Sequence, residues 1–241
     1  MGVSVFYDIL LPRESIARAL RFLAERAPRP DRGLTTVALP NGEQLVLPFS
    51  TEWDEAQRFV DCAGEKDLYL WLDLKVDIDD EVAQQLRVFE PHTYVTEIDG
   101  KFYRYKDDLS EDDFNDMACF DEEQLRDHGV LVSTGTTEVG VNLFVSFTAE
   151  LDPNYAQLHI SSWTRTTHSL FYSSPSFEQL FTDLVAAVEA VCWVQGTDLD
   201  NDLIVNSLHG KPVPGLEIPG EKAVTLDELA AAVAGAQSDA S

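Results

Sequence analysis

The stretch Leu68–Ile78, LYLWLDLKVDI, carries an aliphatic side chain at every second position: Leu68, Leu70, Leu72, Leu74, Val76 and Ile78. Tyr69, Trp71, Asp73, Lys75 and Asp77 fill the places between. Only an extended strand, whose side chains alternate between two faces, sorts such a run cleanly. A helix would scatter the same aliphatics around its circumference. The chain therefore needs a sheet with one buried face, and with an aromatic and charged opposite face at this strand.

The neighbouring segments supply partners. Val3 to Leu11 is rich in β-branched and aromatic residues and reads as a strand. Pro12 can open a helix, and Ile16, Ala19, Leu20 and Leu23 then form one apolar stripe that ends before Pro28. LTTVALPNGEQLVLPF reads as a hairpin, with Asn41-Gly42 supplying positive φ angles at the turn. TYVTEIDGKFYRYK reads as a second hairpin turning at Asp99-Gly100. By period two, Tyr94, Thr96 and Ile98 share a face there with Lys101, Tyr103 and Tyr105.

Further strands are expected near 130–134, 139–148 and 156–164. Ser174-Pro175 starts the strongest helix pattern, with Phe177, Leu180, Phe181, Leu184, Val185, Val188 and Cys192 on its apolar side. HGKPVPGLEIPGEK reads as a Pro/Gly linker. Thr225 and Glu228 form a capping box ahead of a short, alanine-rich terminal helix. The fold class is α+β: antiparallel hairpins and sheet packed against two main amphipathic helices, a pattern that also admits two similar α+β halves. The expected division is an N-terminal α+β half over 1–128, a β-rich half with the long helix over 129–208, and linker plus terminal helix over 209–241.

Charge narrows the function. Against 17 basic residues stand 43 acidic ones, a net −26. Direct nucleic-acid binding needs a basic footprint, which this chain lacks. Six arginines do cluster between Arg13 and Arg32, with Glu14, Glu25 and Asp31 among them; mutual neutralisation within the molecule is the expected use. Cys62, Cys119 and Cys192 are odd in number and far apart, which suits small apolar thiols in a reducing compartment. The first twenty residues read as strand and helix, with no basic segment preceding an apolar one. No apolar run approaches membrane-spanning length. A cytoplasmic protein is expected.

The densest feature is YKDDLSEDDFNDMACFDEEQLRDH, where ten carboxylates face one arginine, Arg126, between Asp107 and Asp127. A calcium loop needs oxygen ligands at positions 1, 3 and 5, glycine at 6 and glutamate at 12. Counting from Asp112 puts Phe114 at position 3, and counting from Asp113 puts Met117 at position 5. Neither register binds calcium. Phe114, Met117 and Leu125 suit a helix facing the body of the protein, which leaves Asp112, Asp113, Asp116, Asp121, Glu122 and Glu123 as a partner-binding array. The run Asp198, Asp200, Asp202 is a weaker metal candidate, since Leu203 replaces the glycine and His209 the acid.

Other chemistry finds little. STGTTEVGVN has the glycine spacing of a phosphate loop, but Val141 and Asn142 stand where lysine and a hydroxyl residue belong, so a hairpin connection is expected. No nucleophile elbow is present. Cys119 and His128 lie nine residues apart with nothing in the sequence to orient the imidazole. An enzyme is disfavoured and no cofactor is called for. The leading expectation is an acidic binding protein of the immunity or inhibitor type, occluding a basic partner protein. The alternative is a small-ligand protein or enzyme with a pocket near Trp71, Tyr103 and Tyr105, or near His159 and His168 with Ser161. A homodimer through an exposed aromatic sheet is a third option.

Overall fold

The computed structural model describes residues 5–27, 34–51, 59–79, 82, 96–98, 101–103, 135–162, 170–171, 174–197, 202–219 and 225–239. Twelve strands are present among them: β1 (Val5–Leu11), β2 (Thr35–Ala38), β3 (Gln44–Leu47), β4 (Phe59–Asp61), β5 (Leu68–Ile78), β6 (Thr96–Ile98), β7 (Lys101–Tyr103), β8 (Gly135–Ser146), β9 (Ala156–Ser162), β10 (Cys192–Thr197), β11 (Asp202–Leu208) and β12 (Lys211–Pro219). Three α-helices accompany them: α1 (Ile16–Arg26), α2 (Pro175–Ala187) and α3 (Leu226–Asp239). Seven strands form one antiparallel sheet in the order β12-β11-β10-β1-β9-β8-β5. A three-stranded sheet, β3-β2-β4, and the β6-β7 hairpin complete the architecture. The protein is mixed α+β.

β5 behaves as its alternation demands. Its six aliphatics are buried, and it pairs with β8 along its whole length, from Leu68 opposite Val145 to Ile78 opposite Gly135. STGTTEVGVN therefore belongs mainly to a strand and not to a hairpin connection. Val139, Val141, Leu143 and Val145 of β8 alternate into the same core, and that periodicity outweighs the two glycines.

β1 lies near the middle of the sheet, between β10 and β9. Its odd residues Val5, Tyr7, Ile9 and Leu11 enter the larger core, which α1 and α2 close with Leu20, Leu23, Phe177, Phe181 and Leu184. The small sheet adds Val37, Leu45 and Leu47 to this core. Tyr7 sits within a ring cluster of Phe171, Phe181 and Trp193, and its hydroxyl donates to the Phe171 carbonyl at 2.5 Å. Leu10 of β1 points the other way, into a second core with Cys192, Val194, Val205, Val213, Ile218 and Leu229. α3 supplies Leu226, Leu229 and Val233 to that core. One sheet is thus covered on opposite faces toward its two ends.

Local chemistry explains the element ends. The β2–β3 turn places Gly42 alone at positive φ (+84°), while the Asn41 side chain accepts from the Glu43 N–H at 2.9 Å. The loop is a three-residue type with a left-handed last residue, not a two-residue Asn-Gly turn. Ser174 caps α2 by accepting from the Phe177 N–H at 3.3 Å, with Pro175 behind it. α2 ends at Ala187, where Glu189 takes φ +55° and Ala190 N–H bonds back to the Val185 carbonyl at 3.0 Å. Cys192, expected on the helix stripe, consequently belongs to β10 and to the opposite core.

The stretch expected as a linker forms β12. His209 and Gly210 both take positive φ (+49° and +70°) and close a two-residue hairpin between β11 and β12. The prolines of β12 are tolerated because it is the edge strand of the sheet. Thr225 does cap α3, accepting from the Glu228 N–H at 3.2 Å, but the helix is fourteen residues long and the longest described.

Candidate functional site

The two faces of the large sheet leave two regions uncovered among the described residues. The first is the face of β5, β8, β9 and β1 opposite α1 and α2. Period two places Tyr69 and Trp71 of β5, Asn142 and Phe144 of β8, His159 and Ser161 of β9, and Phe6 and Asp8 of β1 on this one face. Asp8 organises its polar part. Its Oδ1 accepts from Gln157 Nε2 at 2.8 Å and lies 2.9 Å from His159 Nδ1. The Phe6 ring stacks beside the imidazole, with centroids 5.1 Å apart. Tyr69 and Trp71 meet edge to face at 6.1 Å, and burial raises the Tyr69 hydroxyl above its ordinary value.

Of the residues expected at a ligand site, Trp71 and His159 therefore share a face, two strands apart, with Ser161 opposite Asn142 beside them. Tyr103 lies at the end of β7, in register with Thr96. Tyr105 and His168 lie outside the described residues. The described partner of His159 is Asp8, a residue that no motif or periodicity singles out. Only the sheet register, Asp8 opposite His159, brings them together.

The second region is the other face at β10–β12. α2 ends its cover near Trp193, which leaves a cleft of about 980 Å³ between α2 and the strands, with a smaller recess of about 290 Å³ beside it. Glu178, Trp193 and Asn206 line both. A bulge shapes the floor. Trp193 pairs with Ser207 and Val194 with Val205, so Asn206 is the extra residue on β11. Bulges of this kind re-aim side chains, and here both Asn206 and Ser207 line the cleft.

Asp202 starts β11 opposite Pro219, while Asp198 and Asp200 lie outside the described residues. The described residues contain no group of three or more His, Cys, Asp or Glu side chains placed to hold a metal. Asp112, Asp113, Asp116, Asp121, Glu122 and Glu123 also lie outside them, as do Cys119 and His128. The two described cysteines are free and buried. Burial, with the Asp8 charge adding to it, pushes the Cys192 thiol up to about 12. Burial and then Asp61 raise Cys62. Neither presents a thiolate near neutral pH.

The described arginines are engaged within the chain. Arg13 Nη1 bonds Glu65 at 2.9 Å, and its Nη2 donates to the Pro153 carbonyl at 2.7 Å. Arg18 donates to the Ala187 carbonyl at the end of α2 (3.0 Å) and lies 3.7 Å from Glu189. Arg21 pairs with Glu43, and Arg26 sits over the Phe22 ring at 3.4 Å.

Fold and sites together define a mixed α+β protein built on one large antiparallel sheet, with a half-buried aromatic–polar face and a separate cleft. No protein-family model, curated protein or solved structure matches the chain. Among the described residues no helix is long and apolar enough to cross a membrane.

Proposed function

We propose that this is a cytoplasmic acidic binding protein, of the immunity or inhibitor type, that occludes a basic partner protein. The observation that carries the reading is the net charge of −26 combined with the intramolecular engagement of Arg13, Arg18, Arg21 and Arg26. Those guanidinium groups are spent on carbonyls, carboxylates and a ring within the chain. An uncompensated field of one sign speeds association with an oppositely charged partner and makes it salt-sensitive. The array Asp112, Asp113, Asp116, Asp121, Glu122 and Glu123 is the segment assigned to the contact.

The test captures partners from the native cell with the wild-type chain and with a variant carrying Asn or Gln at those six positions. A basic protein should be held by the wild type and released by salt. Its association rate should fall roughly tenfold or more in the variant. An association rate unchanged by the six substitutions contradicts the assignment.

A second reading, a small-ligand protein or enzyme, has its own support in the Asp8–His159 pair on the sheet face that also carries Trp71. An oriented imidazole next to an aromatic surface is a workable start for a polar ligand site. Residues Tyr103, Tyr105 and His168 belong to that reading as well. A homodimer through the same face would appear in light scattering as a mass that rises with concentration.

A further inference from the structure

The cleft between α2 and β10–β12 has chemistry of its own, separate from both readings above. Its floor carries three polar atoms shut off from solvent and without a hydrogen-bond partner: Trp193 Nε1, Asn206 Nδ2 and Ser207 Oγ. Trp193 and Ser207 are each only 6% exposed. Buried donors are almost always satisfied in folded proteins, because each orphan costs about 1–3 kcal/mol. Three of them lining one cleft, with the bulge at Asn206 placing two, is a concentration that folding alone does not call for.

The remaining lining states what would fit. Val185, Ala186, Ala190 and Pro212 give an apolar wall. Among the described lining residues the carboxylates are Glu178 and Glu189, the other titratable groups are Tyr155 and His209, and none is lysine or arginine. Glu189 is held by Arg18, whereas Glu178, which borders both the cleft and its recess, has no ion-pair partner among the described residues. Among the described residues an anion would meet the unpaired Glu178 and a Glu189 whose nearby Arg18 is already engaged with it and with the Ala187 carbonyl. A cation bearing a carbonyl oxygen and an apolar body would meet Glu178, the three donors and the wall. The cleft volume lies within the range of sites for ligands of that size.

We infer that this cleft binds a small organic cation, an amine that carries a carbonyl acceptor on an aliphatic or aromatic body. The donors are shut off from solvent on residues that line the cleft, so binding draws Trp193 and Ser207 toward the ligand's oxygen and changes the environment of the indole N–H.

The test follows the indole N–H signals of the ¹⁵N-labelled full chain by NMR, with Trp193→Phe identifying the Trp193 signal among the four tryptophans. The probes are leucinamide, neutral 4-methylpentanamide and anionic 4-methylpentanoate, each at millimolar concentration. Leucinamide should move the Trp193 signal and bind about three- to fivefold tighter than the neutral amide, the size expected of one partly exposed charge pair. Glu178→Gln should erase that preference, and Glu138→Gln, on the far face of the sheet, should leave it intact. The inference is overturned if no probe moves the signal, if the carboxylate binds as well as leucinamide, or if the preference survives Glu178→Gln or is lost equally in Glu138→Gln.

Discussion

The aromatic–polar face of the sheet and the cleft at its other end differ in how they treat their polar groups. On the face of β1, β8, β9 and β5 the carboxylate of Asp8 gathers Gln157 and His159 into one paired cluster, with Asn142 Oδ1 the unpartnered exception beside it. At β10–β12 the bulge places Asn206 and Ser207 beside Trp193, and none of the three side chains finds a partner. The first arrangement stabilises the fold by itself. The second leaves hydrogen-bonding capacity unused at a concave, partly apolar surface. Binding sites commonly carry such an imbalance, because groups aimed at a ligand are not optimised for the fold alone.

The largest effects concern what lies behind each region. Phe181→Ala, in the core under α1 and α2, should lose about 3–5 kcal/mol, and Leu229→Ala, in the core under α3, about 2–5 kcal/mol. Urea unfolding measures both. Because β1 sends Ile9 into one core and Leu10 into the other, each variant should still unfold in a single transition. Two separated transitions in Leu229→Ala would mean that the two cores are independent.

Cys192 offers a smaller test, through pH. Its folded value is raised from 9 to about 12, so folding favours the neutral thiol. That contribution is fully present below pH 9 and is lost as pH climbs from 9 to 12, by roughly 4 kcal/mol at most. Wild type should therefore lose stability faster than Cys192→Ala across that window, whatever their difference at neutral pH. Parallel curves would place the thiol in a more polar environment than the second core.

How much of this was legible in the sequence depended on whether local chemistry matched a familiar pattern. β5 was fully readable, since eleven alternating residues admit one conformation. The start of α2 was readable from Ser174-Pro175, and the cap of α3 from Thr225 and Glu228. β12 was not, because Pro212, Pro214 and Pro219 imitate a linker and only the sheet order reveals an edge strand that needs few N–H donors. The end of α2 was missed because Glu189, not glycine, occupies the left-handed position. Asp8 facing His159 and the bulge at Asn206 arise from pairing between distant segments, which no single-segment periodicity encodes. Trp71 and His159 could be named as residues of interest, but not as sharing one face of the sheet.

The most direct test of the contrast compares Ser207→Ala with Asp8→Ala in urea unfolding at neutral pH. Removing an unpartnered buried hydroxyl should leave stability unchanged or raise it, whereas removing Asp8 should cost about 1–2 kcal/mol by stripping Gln157 and His159 of their shared acceptor. A loss of about 1 kcal/mol or more in Ser207→Ala, matching the loss in Asp8→Ala, would show that the Ser207 hydroxyl is satisfied within the fold. The distinction between the two regions would then fall.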